Sequence, residues 1–445
     1  MPERATRSPT AARAPAGTPT TGSSGRRAGA AFRPTSAVPE RAVAMSLTPA
    51  TDTSPAAWRV VFACFVTAVF AWGFGFYAHG IYLVELQRAR GWSTGFISSV
   101  VTAHYLLGAL LLPRIAEAIA RFGPRTVFLA GLATSAAALM LLPSVTEPWQ
   151  LVVLYIAMAP GWNATSVAPI AATVGQWFDR KRGLALNLAL SGATVAGLAV
   201  TPVLLASIPA LGFAMAERLL VAIGIVLAAG TVVLFVRRGP LSPKLTAARP
   251  DRLAPLRQWH FWSIAAPFAI VLTSQVGFLT HLVPLVTSRA AASGLAIDPA
   301  LAVGINAVTA LAGRVVLGLV IDRFEPRRAS AVCFLVQAGA IAVLQFVETP
   351  LAVYGACAAY GLAVGNIITL SPMIVQREFT PDRFPAIVAL STAIMQTLYA
   401  FGPGLLGVLR DASGGYGVPL AVCMGLNLTA SALILMRPRT GTSAR

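Results

Sequence analysis

The sequence predicts an all-α integral membrane protein, with twelve transmembrane helices in two pseudo-symmetric six-helix halves. Three observations carry that prediction: the solvent the composition demands, the length of the apolar runs, and a repeat between the two ends of the chain. Of 445 residues, 56% are hydrophobic and only 11% are charged. The mean hydropathy is +0.72. A soluble domain carries about a quarter charged residues, so water is a poor solvent for most of this surface. That argues against soluble enzymes, nucleic-acid binders and secreted disulfide scaffolds. The net charge is +18. In an apolar chain such a balance reads as membrane orientation, because Lys and Arg collect in cytoplasmic loops.

Taken in order, the chain begins with a tail over residues 1–56 that is rich in Ala, Pro, Thr, Ser and Arg. It holds too little apolar surface to offset its ordering entropy, which predicts disorder. It lacks the apolar core of a signal peptide. Its Arg content resembles a transit peptide without the amphipathic face, and Met45 is an alternative start. After Trp58 come runs of about 20 residues, the length a helix needs to cross roughly 30 Å of hydrocarbon. The first half, 57–236, holds spans 58–84, 94–119, 125–143, 149–173, 183–208 and 215–236. A Pro-rich basic linker, 237–259, separates it from the second half, 260–436. That half holds spans 260–287, 298–320, 328–347, 350–375, 384–409 and 416–436, followed by a short tail, 437–445. A transmembrane β-barrel would show short segments of alternating polarity instead.

Loop charge sets the expected orientation. With both termini cytoplasmic, the five inner loops hold 17 Lys and Arg, and the outer loops hold five. The bias places both termini in the cytoplasm of a cell inner (plasma) membrane protein. The halves also resemble each other. ARFGPRTV (Ala120 to Val127) follows span two, and DRFEPRRA (Asp322 to Ala329) follows span eight, 202 residues later. Phe178 and Phe379, and Pro202 and Pro403, recur at 201. Parallel repeats related by an axis along the membrane normal are a transporter architecture, with the substrate site between them near the midplane.

GLVIDRFEPRR (Gly318 to Arg328) is similar to the cytoplasmic loop motif of the major facilitator superfamily, Gly-x-x-x-Asp-Arg-x-x-x-Arg-Arg. The resemblance implies a cytoplasmic gate at Gly318, Asp322, Arg323, Arg327 and Arg328, in which the Asp accepts hydrogen bonds and latches that side shut. The first-half copy has Ala116 and Ala120 where Gly and Asp stand in the pattern. It keeps Arg121 and Arg125, so the second copy is expected to carry more of the gating. Four stretches resemble the monocarboxylate porter and oxalate–formate antiporter group: YLVELQRARGWSTGFIS, WFDRKRGLALNLALSGA, THLVPLVTSRAAASG and FGPGLLGVLRDASGGYGVPL. Arg314 in span eight is a fifth element. In that group an Arg at this place binds the substrate carboxylate, and the resemblance implies that role for Arg314.

Ionisable groups at bilayer depth are costly unless paired or wetted, so each is a functional candidate. Arg314 lies eight residues before Asp322, about 12 Å along a helix and near the midplane. Its guanidinium keeps its charge and presents a planar fork suited to carboxylate. No acid lies within one helical turn of it. The plainer alternative is pairing with a distant helix or with backbone carbonyls. His104, near the midplane of span two, is either a proton or hydrogen-bond donor to substrate or a helix-packing histidine. Tyr105 beside it, Asn306 and Gln396 complete the candidate substrate-binding set. His79 and His281, 202 residues apart near the outer ends of spans one and seven, are candidates for the outer gate or for wet interfacial positions. Glu85, Glu147, Glu217, Glu348 and Asp411 are expected at the outer edge, and no Asp or Glu at the midplane.

The cysteines, Cys64, Cys333, Cys357 and Cys423, sit in apolar runs without CxxC spacing, so neither zinc nor a redox pair is indicated. No phosphate-binding GxxxxGK[ST] loop is present, and no cofactor or metal is expected. The expected function is secondary active transport of a small organic anion, a monocarboxylate first, by alternating access and not enzymatic. A single buried cation points to a monoanion. The expected partners are that anion, the lipid bilayer and, as a coupling ion, the proton, with no nucleic acid and a monomeric state. The alternatives are efflux of a bulkier or uncharged compound, and a transporter-like receptor that binds without flux.

Overall fold

The computed structural model describes residues 54–178, 181–240, 254–347, 349–380 and 383–436. The expectations for residues 1–53, for most of the 237–259 linker and for the 437–445 tail lie outside the described residues. So do the side chains of Asp322 and of residues 384–386. Among the described residues, twelve helical spans are long and apolar enough to cross a membrane, and there are no strands. The chain is a multi-pass membrane protein.

In the first half, the opening span is α1 (Pro55–Trp72), a π-helical segment (Gly73–Tyr77) and α2 (His79–Arg90). Spans two to six are α3 (Thr94–Phe122), α4 (Pro124–Leu141), α5 with α6 (Pro148–Ala164, Val167–Val174), α7 (Arg182–Leu211) and α8 (Phe213–Phe235). The second half runs α9 (Trp259–Ser293), α10 (Pro299–Val320), α11 (Pro326–Phe346), α12 with α13 (Pro350–Val364, Ile367–Glu378), α14 with α15 (Phe384–Tyr399, Phe401–Ser413) and α16 (Gly417–Leu435). Local chemistry sets the ends. Ser93 caps α3 by accepting from the Phe96 N–H at 3.1 Å, and Asp298 caps α10 by accepting from the Ala300 N–H at 2.8 Å. The turn between α3 and α4 is made at Gly123, whose φ of 85° suits only glycine, and Pro124 opens α4 where a missing N–H costs nothing. The outward surface is apolar, as Leu351 at 83% exposure illustrates. Lipid accepts such a surface, whereas water penalises it.

The repeat seen in the sequence is also a repeat of contacts. Trp58 packs edge-on against Phe178, with ring centroids 5.0 Å apart, and His260 packs on Phe379 at 4.7 Å. His104 Nδ1 meets the Tyr155 carbonyl at 3.0 Å, and the Asn306 amide donates to the Cys357 carbonyl at 3.2 Å. Both members of the second pair stand 202 residues beyond those of the first. Each half thus fixes its second helix to its fourth by a polar side chain on a backbone carbonyl.

Two sides of the molecule can be distinguished by the chain ends. The terminal side carries Pro55 and Leu435, and the distal side carries the turn between α2 and α3. On the distal side the halves are tied together. The Gly95 N–H donates to Asp411 Oδ2 at 2.6 Å, and the Gly404 N–H donates to Thr102 Oγ1 at 2.9 Å. Ser98 Oγ lies 3.2 Å from His281 Nε2. Small residues permit the approach: a Cβ added to Gly80 would stand 2.8 Å from the Thr280 carbonyl oxygen. Descending α3, the series of contacts continues to Tyr105, which meets Tyr399 at the end of α14 with ring centroids 6.1 Å apart. The structure is closed on its distal side down to that level.

Candidate substrate site and gates

The site begins with the irregularity in the first span. The sequence Gly-Phe-Gly-Phe-Tyr (Gly73–Tyr77) forms one π-helical turn, a feature that recurs at functional positions. Glycine is required twice here. A Cβ on Gly73 would stand 2.7 Å from Val200 Cγ2 in α7, and one on Gly75 would stand 2.7 Å from Trp162 Cε3 in α5. The Gly75 carbonyl accepts from the Tyr105 hydroxyl at 3.2 Å. Tyr77, the last residue of the turn, lies with Ala307 of α10 over Gly197 of α7. It therefore sits where the two halves meet.

Arg314 lies seven residues beyond Ala307 along α10, about 10 Å toward the terminal side. It is half-buried. Its Nε donates to the Gly365 carbonyl at 2.9 Å, at the break between α12 and α13. Its two terminal nitrogens have no hydrogen-bond partner among the described residues, and Tyr77 is in electrostatic reach from the first half. Gly365 makes the seat possible, because a Cβ there would stand 2.8 Å from Arg314 Cγ. The arrangement fixes the inner edge of the guanidinium and leaves its outer fork for a planar anion.

An aromatic floor lies beside this level. Phe76 and Tyr77 rings are 5.1 Å apart, Phe76 and Tyr105 6.3 Å, and Tyr105 meets Tyr399 across the interface. Gln396 lies beside the Tyr399 hydroxyl. Tyr105 and Gln396 are thus brought to one place. His104 and Asn306 are not: both are buried, turned into their own halves and bound to the carbonyls of Tyr155 and Cys357.

The two distal histidines differ. His281 bridges the halves through Ser98 Oγ, 3.2 Å from its Nε2. The same nitrogen lies 3.1 Å from the Pro403 carbonyl of its own half, which can only accept, so that nitrogen carries the hydrogen. Its Nδ1 is then free to accept from the Tyr416 hydroxyl at 3.2 Å. His79 lies inside the first half, with Nδ1 3.1 Å from the Tyr105 hydroxyl, and lines no entrance in this conformation.

At the terminal side, Arg327 is 2% exposed. It clasps Glu378 with Nε and Nη2 at 2.6 and 2.7 Å. It also donates to Ser263 Oγ at 2.9 Å and to the Ile434 carbonyl at 3.0 Å. His260 Nε2 is 3.2 Å from the same carboxylate. This network joins α9, α11, α13 and α16 within the second half. Arg121, Arg125, Arg323 and Arg328 are exposed, Gly318 borders open space, and among the described residues Arg328 pairs with Glu325 on the surface. The acid that engages Arg327 is Glu378, fifty-one residues away in sequence, whereas the motif had pointed to Asp322, whose side chain lies outside the described residues.

Sequence reasoning missed Tyr77, Tyr399 and Glu378. Glu217, expected at the outer edge, stands five residues into α8 at its distal end, but it is also fully buried there and accepts from the Tyr82 hydroxyl at 2.6 Å. The available signals were slight: a Gly-x-Gly-x-Tyr within an apolar run, and an acid five residues into α8.

Comparison with known proteins agrees with this architecture. The chain is 25% identical over 366 residues to the MFS-type transporter pynF of Aspergillus niger, covering 81% of each chain. It is 22% identical over 390 residues to monocarboxylate transporter 13 of Bos taurus, covering 86% of this chain and 89% of that one. The crystal structure of the nucleoside transporter NupG superposes with a TM-score of 0.69 at 13% identity, covering 86% of this chain and all of that one, which establishes the fold alone. The family model of the Major Facilitator Superfamily matches residues 61–379, and the chain belongs to that superfamily of membrane transporters.

Proposed function

We propose that the protein is a secondary active transporter of a small organic monoanion, a monocarboxylate in the first instance, and that Arg314 holds the carboxylate. The observation that carries this reading is the half-buried guanidinium with its outer fork unpartnered beside the level where the halves part. An uncompensated cation at this depth costs at least several kcal/mol. A carboxylate ligand offsets that cost, with two charge-assisted hydrogen bonds in the geometry the fork presents. In the distally closed state the anion enters or leaves from the terminal side, which loop charge assigns to the cytoplasm of the inner (plasma) membrane. Binding then neutralises Arg314 and favours closure of Tyr77 and Arg314 about the ligand. It shifts the equilibrium only as far as it binds one state better than the other. The likeness to monocarboxylate transporter 13 supports the substrate class.

Efflux of a bulkier, uncharged compound is the second reading, favoured by the aromatic floor of Phe76, Tyr77, Tyr105 and Tyr399. Ligand-induced thermal stabilisation separates the two. The panel is acetate, lactate, pyruvate, benzoate, oxalate and succinate, tested on the wild type and Arg314→Gln. A monocarboxylate that stabilises the wild type and not the variant supports the first reading. A folded wild type indifferent to all six turns the assignment to efflux.

A further inference from the structure

Inside the first half, away from Arg314, buried polar atoms without partners gather in one cluster. Glu217 in α8 is 0% exposed. Its Oε1 accepts from the Tyr82 hydroxyl at 2.6 Å, and its Oε2 has no partner. The Tyr155 hydroxyl, in electrostatic reach of Glu217, is also buried and unpartnered. His104 and His79 complete the group, each with Nε2 unpartnered. The His79 ring lies 5.5 Å from Tyr155, 5.9 Å from His104 and 6.0 Å from Tyr82. Through Nδ1 it reaches the Tyr105 hydroxyl, whose ring meets Tyr399 where the halves part. Each buried polar atom left unmet costs about 1–3 kcal/mol, so four together call for a function.

The charged groups on the surrounding helices bond elsewhere or lie at exposed helix ends. On α8, Arg218 donates to the Met140 carbonyl and to Ser144. On α2, Arg88 pairs with Glu85, and Arg90 donates to the Val145 carbonyl. On α1, Arg59 lies over Phe235 at the far end. Arg125 of α4 is at that helix's terminal-side end, Arg182 of α7 stands by Gly175, and Glu147 before α5 is exposed. No guanidinium or ammonium among the described residues compensates Glu217.

We propose that Glu217, capped by Tyr82, is a proton-binding site that carries a proton in this distally closed state and supplies the coupling proton of transport. Protonation takes the carboxyl from −1 to 0 with the proton on Oε2, which removes an unpaired anion from the interior of the bundle. Tyr82, His79 and Tyr105 stand between the site and the interface and provide the groups through which the proton leaves when the state changes. The coupling role rests on the transport reading above, whereas the proton site does not.

The test has two arms. Infrared spectra of the full chain in lipid nanodiscs at neutral pH should show a protonated-carboxyl absorption that is absent in Glu217→Gln and displaced in Tyr82→Phe. A spectrum that Glu217→Gln leaves unchanged overturns the site. In proteoliposomes, uptake driven by a pH gradient is compared with counterflow, using the carboxylate that stabilises the wild type. The ratio of the two should fall at least about tenfold in Glu217→Gln, and an unchanged ratio overturns the coupling. A wild type that carries no carboxylate in either assay contradicts the substrate reading instead, and the infrared band still decides the proton site.

Discussion

Arg314 keeps one edge of its guanidinium on the Gly365 carbonyl and turns the other to a half-buried space. In the proposed reading, Gly365 is a positioning residue for that arginine. In Gly365→Ala the new methyl would press on Arg314 Cγ, an overpacking that costs about 1–3 kcal/mol. The expected outcome is a folded protein whose thermal response to the stabilising carboxylate is weakened severalfold. An unchanged response would mean that the arginine does not depend on this seat. At the terminal side the buried clasp of Arg327 on Glu378 has a different consequence. Removing one partner of a buried pair costs about 3–5 kcal/mol because the other charge is left uncompensated. Glu378→Gln should therefore lower the melting temperature of the purified protein clearly, while Arg328→Gln, which breaks an exposed pair with Glu325, should leave it almost unmoved.

At the scale of elements, the distal closure rests on α3 against α15 and on His281 of α9, which holds Ser98 in one half and Pro403 in the other. His281→Phe keeps the ring and removes these bonds. The expected result is a distal side that opens more often. A cysteine introduced at Thr280, buried next to Gly80, should then react severalfold faster with an impermeant thiol reagent than in the His281 background. Equal rates would show that the glycine contacts alone hold the closure. The elements were also where the sequence was most legible. Apolar run length places each span, and the recurrence of Phe178 at Phe379 corresponds to two matching ring contacts. Arg314 was legible because a lone guanidinium deep in a span has few explanations. Tyr77, Tyr399 and Glu378 were not, because their meaning lies in contacts across distant segments that no local pattern encodes. His104 looked like a cavity residue by depth alone. Which way it faces around α3 depends on how that helix packs against α5.

At the scale of the whole molecule, two six-helix halves repeat one design and differ where function differs. His104 and Asn306 are equivalent in position and in bonding, whereas the equivalent of Arg314, 202 residues earlier, is Leu112. The second half supplies the charge and Tyr399, and the first supplies Phe76, Tyr77 and Tyr105 of the aromatic floor, so in the proposed reading a ligand between them senses both. Alternating access then requires the distal interface to separate. A Cβ at Gly404 would stand 3.4 Å from Thr102 Cβ, close to the roughly 3.5–4.5 Å of a disulfide. Oxidised Thr102→Cys/Gly404→Cys should lose flux across sealed vesicles and regain it on reduction. Flux that persists in the oxidised protein would mean that this interface does not open in the cycle.

The central claim is that Arg314 holds the carboxylate of a transported monoanion. Its most direct test is counterflow in proteoliposomes, with the same panel of mono- and dicarboxylates as labelled substrates, for wild type and Arg314→Gln reconstituted at equal density. The account predicts saturable counterflow of at least one monocarboxylate by the wild type, reduced at least about tenfold in the variant, as expected for truncating one partner of a charge pair at about 2 kcal/mol or more. Counterflow of a monocarboxylate that survives undiminished in Arg314→Gln would contradict it.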